Sequence, residues 1–138
     1  MTSKPFAGGC ACGAIRYSIV GEPMVMNDCQ CRHCQQRSGT GHSSYVVFKG
    51  AAVTLSGRAS TWEIKGDLGT PKSHGFCPTC GAPVYLAFPT MPDMFAIQAG
   101  SLDEPERYQP QATLFTASGH AWDALAPGVR TFEGMPVG

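Results

Sequence analysis

Seven cysteines fall into three tight groups, Cys10-Ala11-Cys12, Cys29-Gln30-Cys31-Arg32-His33-Cys34 and Cys77-Pro78-Thr79-Cys80. Thiolates at this spacing are ligands for soft or borderline metal ions. Two of the groups run into a glycine, at Gly13 and Gly81. A glycine there allows positive φ and turns backbone amides toward the sulfurs, as in the short knuckles that wrap an ion. The middle group brings Cys29, Cys31 and Cys34 together. Four thiolates saturate a tetrahedral zinc site, whereas three leave a position open, the usual division between structural and catalytic zinc.

Other uses of the cysteines fit less well. A disulfide framework would leave one of seven thiols over. Residues 1–9 hold no apolar run of the kind that directs export to an oxidising compartment. A bridge between Cys10 and Cys12 would also close a very small, strained ring. A redox dithiol at Cys77-Pro78-Thr79-Cys80 calls for a strand-to-helix turn, yet Gly81, Pro83 and a strand-like Val84–Phe88 follow it. Iron–sulfur ligation uses the same donors, but zinc is the commoner occupant of knuckles that end in glycine.

The grouping of cysteines around each ion is left open by spacing. The two glycine-ended knuckles can meet face to face, which leaves Cys29, Cys31 and Cys34 as a unit. Zinc–sulfur bonds of about 2.3 Å place tetrahedral sulfurs roughly 3.8 Å apart. Local clusters reach that distance easily, so it permits this partition without requiring it.

At 138 residues the chain is read as one domain, 1–138, large enough for a real core. Charged residues make up 14%, the formal net charge is zero, and Lys and Arg are scattered. That gives no electrostatic footprint for a nucleic-acid backbone. No apolar run approaches a membrane span. A soluble protein of the reducing cytoplasm is expected.

Positioning the cysteines falls to short strands, because 17 glycines and 11 prolines punctuate the chain. Ile15–Ile19 alternates strictly and reads as a half-buried strand. Ser44–Phe48, Ala52–Ser56, Ser60–Ile64, Val84–Phe88, Met94–Ala99 and Ala112–Thr116 bring the expectation to about seven strands. Residues 66–73 read as a polar loop. His33–Ser38 is a short helix, and 101–105 a single turn. The expected architecture is mainly β: two small antiparallel sheets folded over each other, metal knuckles at one end, and one or two short helical turns.

With these motifs in order, the chain resembles the glutathione-dependent formaldehyde-activating enzyme family, also called the CENP-V/GFA family. The resemblance is carried by Gly9-Cys10-Ala11-Cys12-Gly13 with Ile15-Arg16-Tyr17, and by Cys29–Cys34 with Arg37-Ser38-Gly39. It continues through Phe76–Gly81, Ala99–Asp103, Trp122-Asp123 and Phe132–Pro136. It implies a β-tent fold with two zinc ions per chain. Cys10, Cys12, Cys77 and Cys80 would form the structural site, and Cys29, Cys31 and Cys34 the catalytic one. Two places depart from the family pattern: His74 stands where members often carry Arg, and Thr113-Leu114-Phe115 replaces a His-Ile-Trp-like stretch.

The activity so implied is that of a carbon–sulfur lyase acting on a small-molecule thiol and aldehyde, with a glutathione-like thiol as co-substrate. A zinc ion with an open position lowers the pKa of a bound thiol. The thiolate adds to formaldehyde, and the reverse reaction breaks the carbon–sulfur bond. Arg37, Ser38 and Trp62 are the expected thiol-pocket residues, with Arg32 and His33 close to the three-cysteine set. Residues of these types in such places are more often solvated helix positions for Arg32 and Arg37, an exposed side chain for His33, and packing for Trp62 and Trp122. Ser38 and Ser101 lack the neighbours of a triad. The opposed reading is a non-catalytic zinc module that binds a protein partner.

Overall fold

The alternation at Arg16–Val20 does form a strand, with Tyr17 and Ile19 buried and their neighbours turned outward. The computed structural model describes residues 4–136; the ends of the expected 1–138 domain, residues 1–3 and 137–138, lie outside the described residues. In chain order the strands are β1 (Phe6–Gly9), β2 (Arg16–Val20), β3 (Val25–Cys29), β4 (Ser43–Lys49), β5 (Ala52–Ser56) and β6 (Ser60–Lys65). They continue with β7 (Pro71–Phe76), β8 (Pro83–Ala87), β9 (Met94–Gln98), β10 (Ala112–Leu114) and β11 (Arg130–Thr131). One helix, α1 (Arg32–Ser38), and short 3-10 turns at Ala99–Ser101, Pro105–Arg107 and Thr116–Ser118 complete the elements.

Two sheets result, as expected, but they are unequal. A three-stranded antiparallel sheet has the order β1-β2-β5, and an eight-stranded sheet the order β11-β10-β3-β4-β9-β8-β7-β6. The larger one is mixed, because β10 runs parallel to both β3 and β11. Part of the expected 66–73 loop is β7. Its polar Pro-Lys-Ser-His sequence hides a strand held on both sides by β6 and β8. Gly75 is required there, since a Cβ would collide with the Tyr85 ring across the ladder.

β4 explains the division of the interior. Its residues Tyr45, Val46, Val47 and Phe48 are all buried, yet successive side chains point to opposite faces. Both faces of the large sheet are therefore covered at its middle. Val46 and Phe48 join Val84 and Ile97 against Phe6, Ile15, Tyr17 and Ile19 of the small-sheet side. Each such side chain contributes about 1.5–3 kcal/mol by leaving water. Tyr45 and Val47 face the other way, with Leu86, Ala96, Ala112, Leu114 and the cysteines Cys29 and Cys34. No helix among the described residues is long and apolar enough to cross a membrane.

Candidate metal centres and the adjoining cavity

The turn between β1 and β2 and the turn between β7 and β8 are built alike. Cys10 N donates to Ile15 O (3.1 Å) and Gly13 N to Cys10 O (3.2 Å). Correspondingly, Cys77 N donates to Ala82 O (3.0 Å) and Gly81 N to Cys77 O (2.8 Å). Gly13 and Gly81 have φ of 82° and 78°, a region costly for residues with a Cβ. Amides then point at sulfur: Ile15 N lies 3.2 Å from Cys10 Sγ, and Thr79 N 3.3 Å from Cys77 Sγ.

The two knuckles meet. Cys10, Cys12, Cys77 and Cys80 bring their sulfurs within 4.8 Å of one another. Cys10–Cys12 and Cys12–Cys77 are 3.7 and 3.6 Å apart, close to the roughly 3.8 Å of a tetrahedral zinc thiolate. The amide of Ala82 holds the Cys80 thiol down to about 6, so this sulfur is ready to ligate at neutral pH. Cys12 and Cys80 are exposed, while Cys10 and Cys77 are buried. The set is complete in donors.

The second cluster is local. Cys29 ends β3, Cys31 caps α1 with its sulfur accepting from Cys34 N (3.4 Å), and Cys34 lies in the first turn. Gly39 closes the helix in the left-handed region, with its amide on Gln35 O. The sulfurs of Cys29, Cys31 and Cys34 also lie within 4.8 Å of one another. Hydrogen bonds from the Cys29 and Cys34 thiols, aided by the nearby Lys72 ammonium, hold Cys31 far below the usual thiol range. The Cys31 side chain in turn pushes Cys29 up to about 12, and Cys29, Cys31 and burial raise Cys34. One thiolate flanked by two thiols invites a cation, and this all-sulfur set of three fits zinc with a vacancy.

All three sulfur-bearing residues open on a cavity of about 660 Å³. Its wall is one face of the large sheet, curled so that residues of β6, β7 and β8 share it with residues of β3, β10 and β11. Apolar side chains dominate, among them Val25, Val47, Leu86, Phe88, Met94 and Leu114. The ionic groups on the wall are Asp67, Lys72 and Arg130, joined by His33 and His74. None of Cys10, Cys12, Cys77 or Cys80 lines this space.

His74 is 3% exposed, and its Nε2 has no hydrogen-bond partner. Burial, reinforced by the positive charges of Arg37 and Lys72, takes its pKa down to about 4. It is a neutral imidazole at neutral pH. Tyr45 also lines the cavity; its hydroxyl accepts from Gln98 Nε2 (3.2 Å), and burial raises its pKa.

The pocket residues expected from sequence are placed differently. Arg37 lies over the Phe76 ring at 5.3 Å and does not line the cavity. Ser38 is exposed and binds its own backbone, donating to Gln35 O and accepting from Thr40 N. It borders a separate groove beside Cys10. Trp62 pairs with His74 across β6 and β7 but is 58% exposed and off the lining. Arg32 hydrogen-bonds Gln35, whereas His33 is exposed and does reach the cavity. Sequence reasoning missed Lys72, Tyr45 and Arg130. Tyr45 and Lys72 lie on strands without clear alternation, whose faces are set by their partners, and Arg130 lies on a two-residue strand that leaves no pattern in the sequence. His42 and His120 have partners too: Asp123 at 2.9 Å and Gln35 at 2.9 Å.

Comparison with known proteins gives a family and a fold. The family model described as "Glutathione-dependent formaldehyde-activating enzyme" matches residues 5–118. Among curated proteins none matches the chain. Among solved structures it is similar to a crystal structure of a Rhodobacter sphaeroides protein, a structural-genomics target, at 16% identity and a TM-score of 0.52. That likeness covers 91% of this chain and 98% of the other, and it supports the fold alone.

Proposed function

This chain belongs to the glutathione-dependent formaldehyde-activating enzyme family, and we propose that it is a zinc-dependent carbon–sulfur lyase that joins a glutathione-type thiol to an aldehyde and cleaves the adduct. One observation carries the reading: the three-cysteine cluster, not the four-cysteine one, opens on the large cavity. The two donor sets support two zinc ions per chain. When bound by Cys29, Cys31 and Cys34, zinc supplies a Lewis acid with room for a substrate thiol, whose pKa it lowers.

The reaction itself is balanced without redox change. The thiol sulfur forms a bond to the carbonyl carbon, the carbon–oxygen π pair moves to oxygen, and the thiol proton ends there as a hydroxyl. Cleavage is the reverse. The Lys72 ammonium and Arg130 guanidinium suit the carboxylates of a glutathione-type thiol, and Asp67 suits its ammonium. His74 backs the wall as a neutral imidazole, its Nε2 buried below the reach of solvent. Arg37 acts at a remove, its charge helping to keep that imidazole neutral. Apolar walls around the thiolate exclude water and strengthen these contacts.

Free thiols throughout suit a reducing cytoplasm. A non-catalytic zinc module has no use for a cavity that ends at an incomplete donor set. The test is exchange NMR with glutathione and ¹³C-formaldehyde on zinc-loaded protein. Faster interconversion of free and thiol-bound carbon than in buffer, lost in Cys31→Ser, is expected. Equal rates with and without the protein would end the proposal.

A further inference from the structure

Formaldehyde has two heavy atoms and needs a space comparable to one water, about 30 Å³. The cavity at the three-cysteine cluster measures about 660 Å³. An apolar pocket of about 150 Å³ already holds a benzene ring. The thiol partner fills part of the excess, and its two carboxylates and ammonium use up Lys72, Arg130 and Asp67, the Asp, Lys and Arg side chains on the wall among the described residues. Most of the remaining surface is Met, Leu, Val and Phe. Buried apolar wall without an apolar occupant stabilises nothing.

The mouth has the same character. Met24, Leu68, Met91 and Met135 line the cavity and are exposed, so apolar surface runs from the sulfur cluster out to solvent. Methionine adapts its shape to varied apolar groups. We propose, resting on the lyase reading above, that the aldehyde taken by this site carries a bulky apolar substituent, an alkyl chain of about six carbons or an aromatic ring. The substituent lies along the β3, β9 and β10 wall, while the carbonyl carbon sits at the cysteines. Attack forms the same carbon–sulfur bond, and the hydroxyl and the apolar group are then carried on one carbon.

The test measures kcat/KM with glutathione across acetaldehyde, butanal, hexanal and phenylacetaldehyde, whose carbonyls differ mainly in substituent size. Values rising by roughly two- to fourfold per methylene are expected, since full burial of one methylene corresponds to about fourfold. A flat or falling series overturns the proposal while leaving any formaldehyde turnover, and hence the lyase reading, intact. Ala112→Phe, which fills the cavity, should lower the hexanal-to-acetaldehyde ratio by about tenfold. Met91→Lys, on the exposed rim, should lower it less and guards against a folding defect. Binding of 1-hexanol, followed by NMR, gives a readout without chemistry. Hexanol binding abolished by Ala112→Phe, with no adduct from any aldehyde, removes the lyase reading and overturns the aldehyde proposal with it. Faster reaction of hexanethiol with formaldehyde than of glutathione with hexanal would assign the apolar group to the thiol and overturn the proposal.

Discussion

The two cysteine clusters present the same donor atom in opposite settings, and chain topology makes the difference. The four-cysteine set joins the β1–β2 turn of the small sheet to the β7–β8 turn of the large one, with Cys12 and Cys77 65 residues apart. An ion there clamps two sheets together. The three-cysteine set draws on a single stretch from the end of β3 into α1. An ion there fixes little beyond its own neighbourhood. Long-range ligation would therefore bear on folding, and local ligation beside a cavity is the setting of the proposed chemistry.

The largest effect should come from breaking the clamp. Cys10→Ser removes a ligand between the sheets, and structural zinc contributes about 10–16 kcal/mol in small zinc domains. That exceeds or matches the whole stability of an ordinary domain. Loss of the cooperative thermal transition and of soluble protein is expected; a variant melting near wild type would refute the clamp. Cys31→Ser is the matching change at the local site. It should abolish adduct formation and one equivalent of zinc while costing less than about 3 kcal/mol in urea unfolding, within the range of ordinary substitutions. A chelator titration sharpens the contrast without mutation. Activity should vanish at a lower chelator concentration than the near-UV circular dichroism signal, and coincident losses would make the two sites one cooperative unit.

A smaller effect separates His74 from the metal. Its folded pKa of about 4 lies below the ordinary 6.5. Between those values the unfolded chain binds more protons, so stability present above pH 6.5 falls as pH falls toward 4. Urea unfolding of His74→Gln should show a shallower slope across that window, and the difference between the two proteins removes the contribution of acid-driven zinc loss. The smallest effect concerns the surface. Arg16 and Asp103 form a paired contact (2.9 Å for Nη1 to Oδ1), but both are well exposed. Asp103→Ala should leave the urea-unfolding midpoint close to that of the wild type. A marked fall would mean that the small sheet is held by charge as well as by sulfur.

The cysteine clusters were readable because a Cys-x(n)-Cys-Gly knuckle carries its own geometry, seen in the matching hydrogen bonds of Cys10 and Cys77. Strands with clear alternation, such as β2, were legible for the same local reason. β1, with two glycines in four residues, and β3, with Asn27 and Asp28, lacked any such pattern. β7 was hidden by polarity, since its His74 is buried by neighbours that the sequence does not name. The cavity was the least visible feature. Its wall is assembled from strands far apart in the chain, so Arg37, Ser38 and Trp62, chosen for type and proximity, were set aside in favour of Lys72, Tyr45 and Arg130.

Solvent reaches Cys12 and Cys80 fully and Cys31 in part, whereas Cys29 and Cys34 are shielded. Peroxide or a thiol-trapping reagent therefore reaches a sulfur of each cluster, at Cys80 and at Cys31, and oxidised sulfur is a poor ligand. Oxidative stress would then loosen the join between the sheets and spoil the cavity-side cluster together.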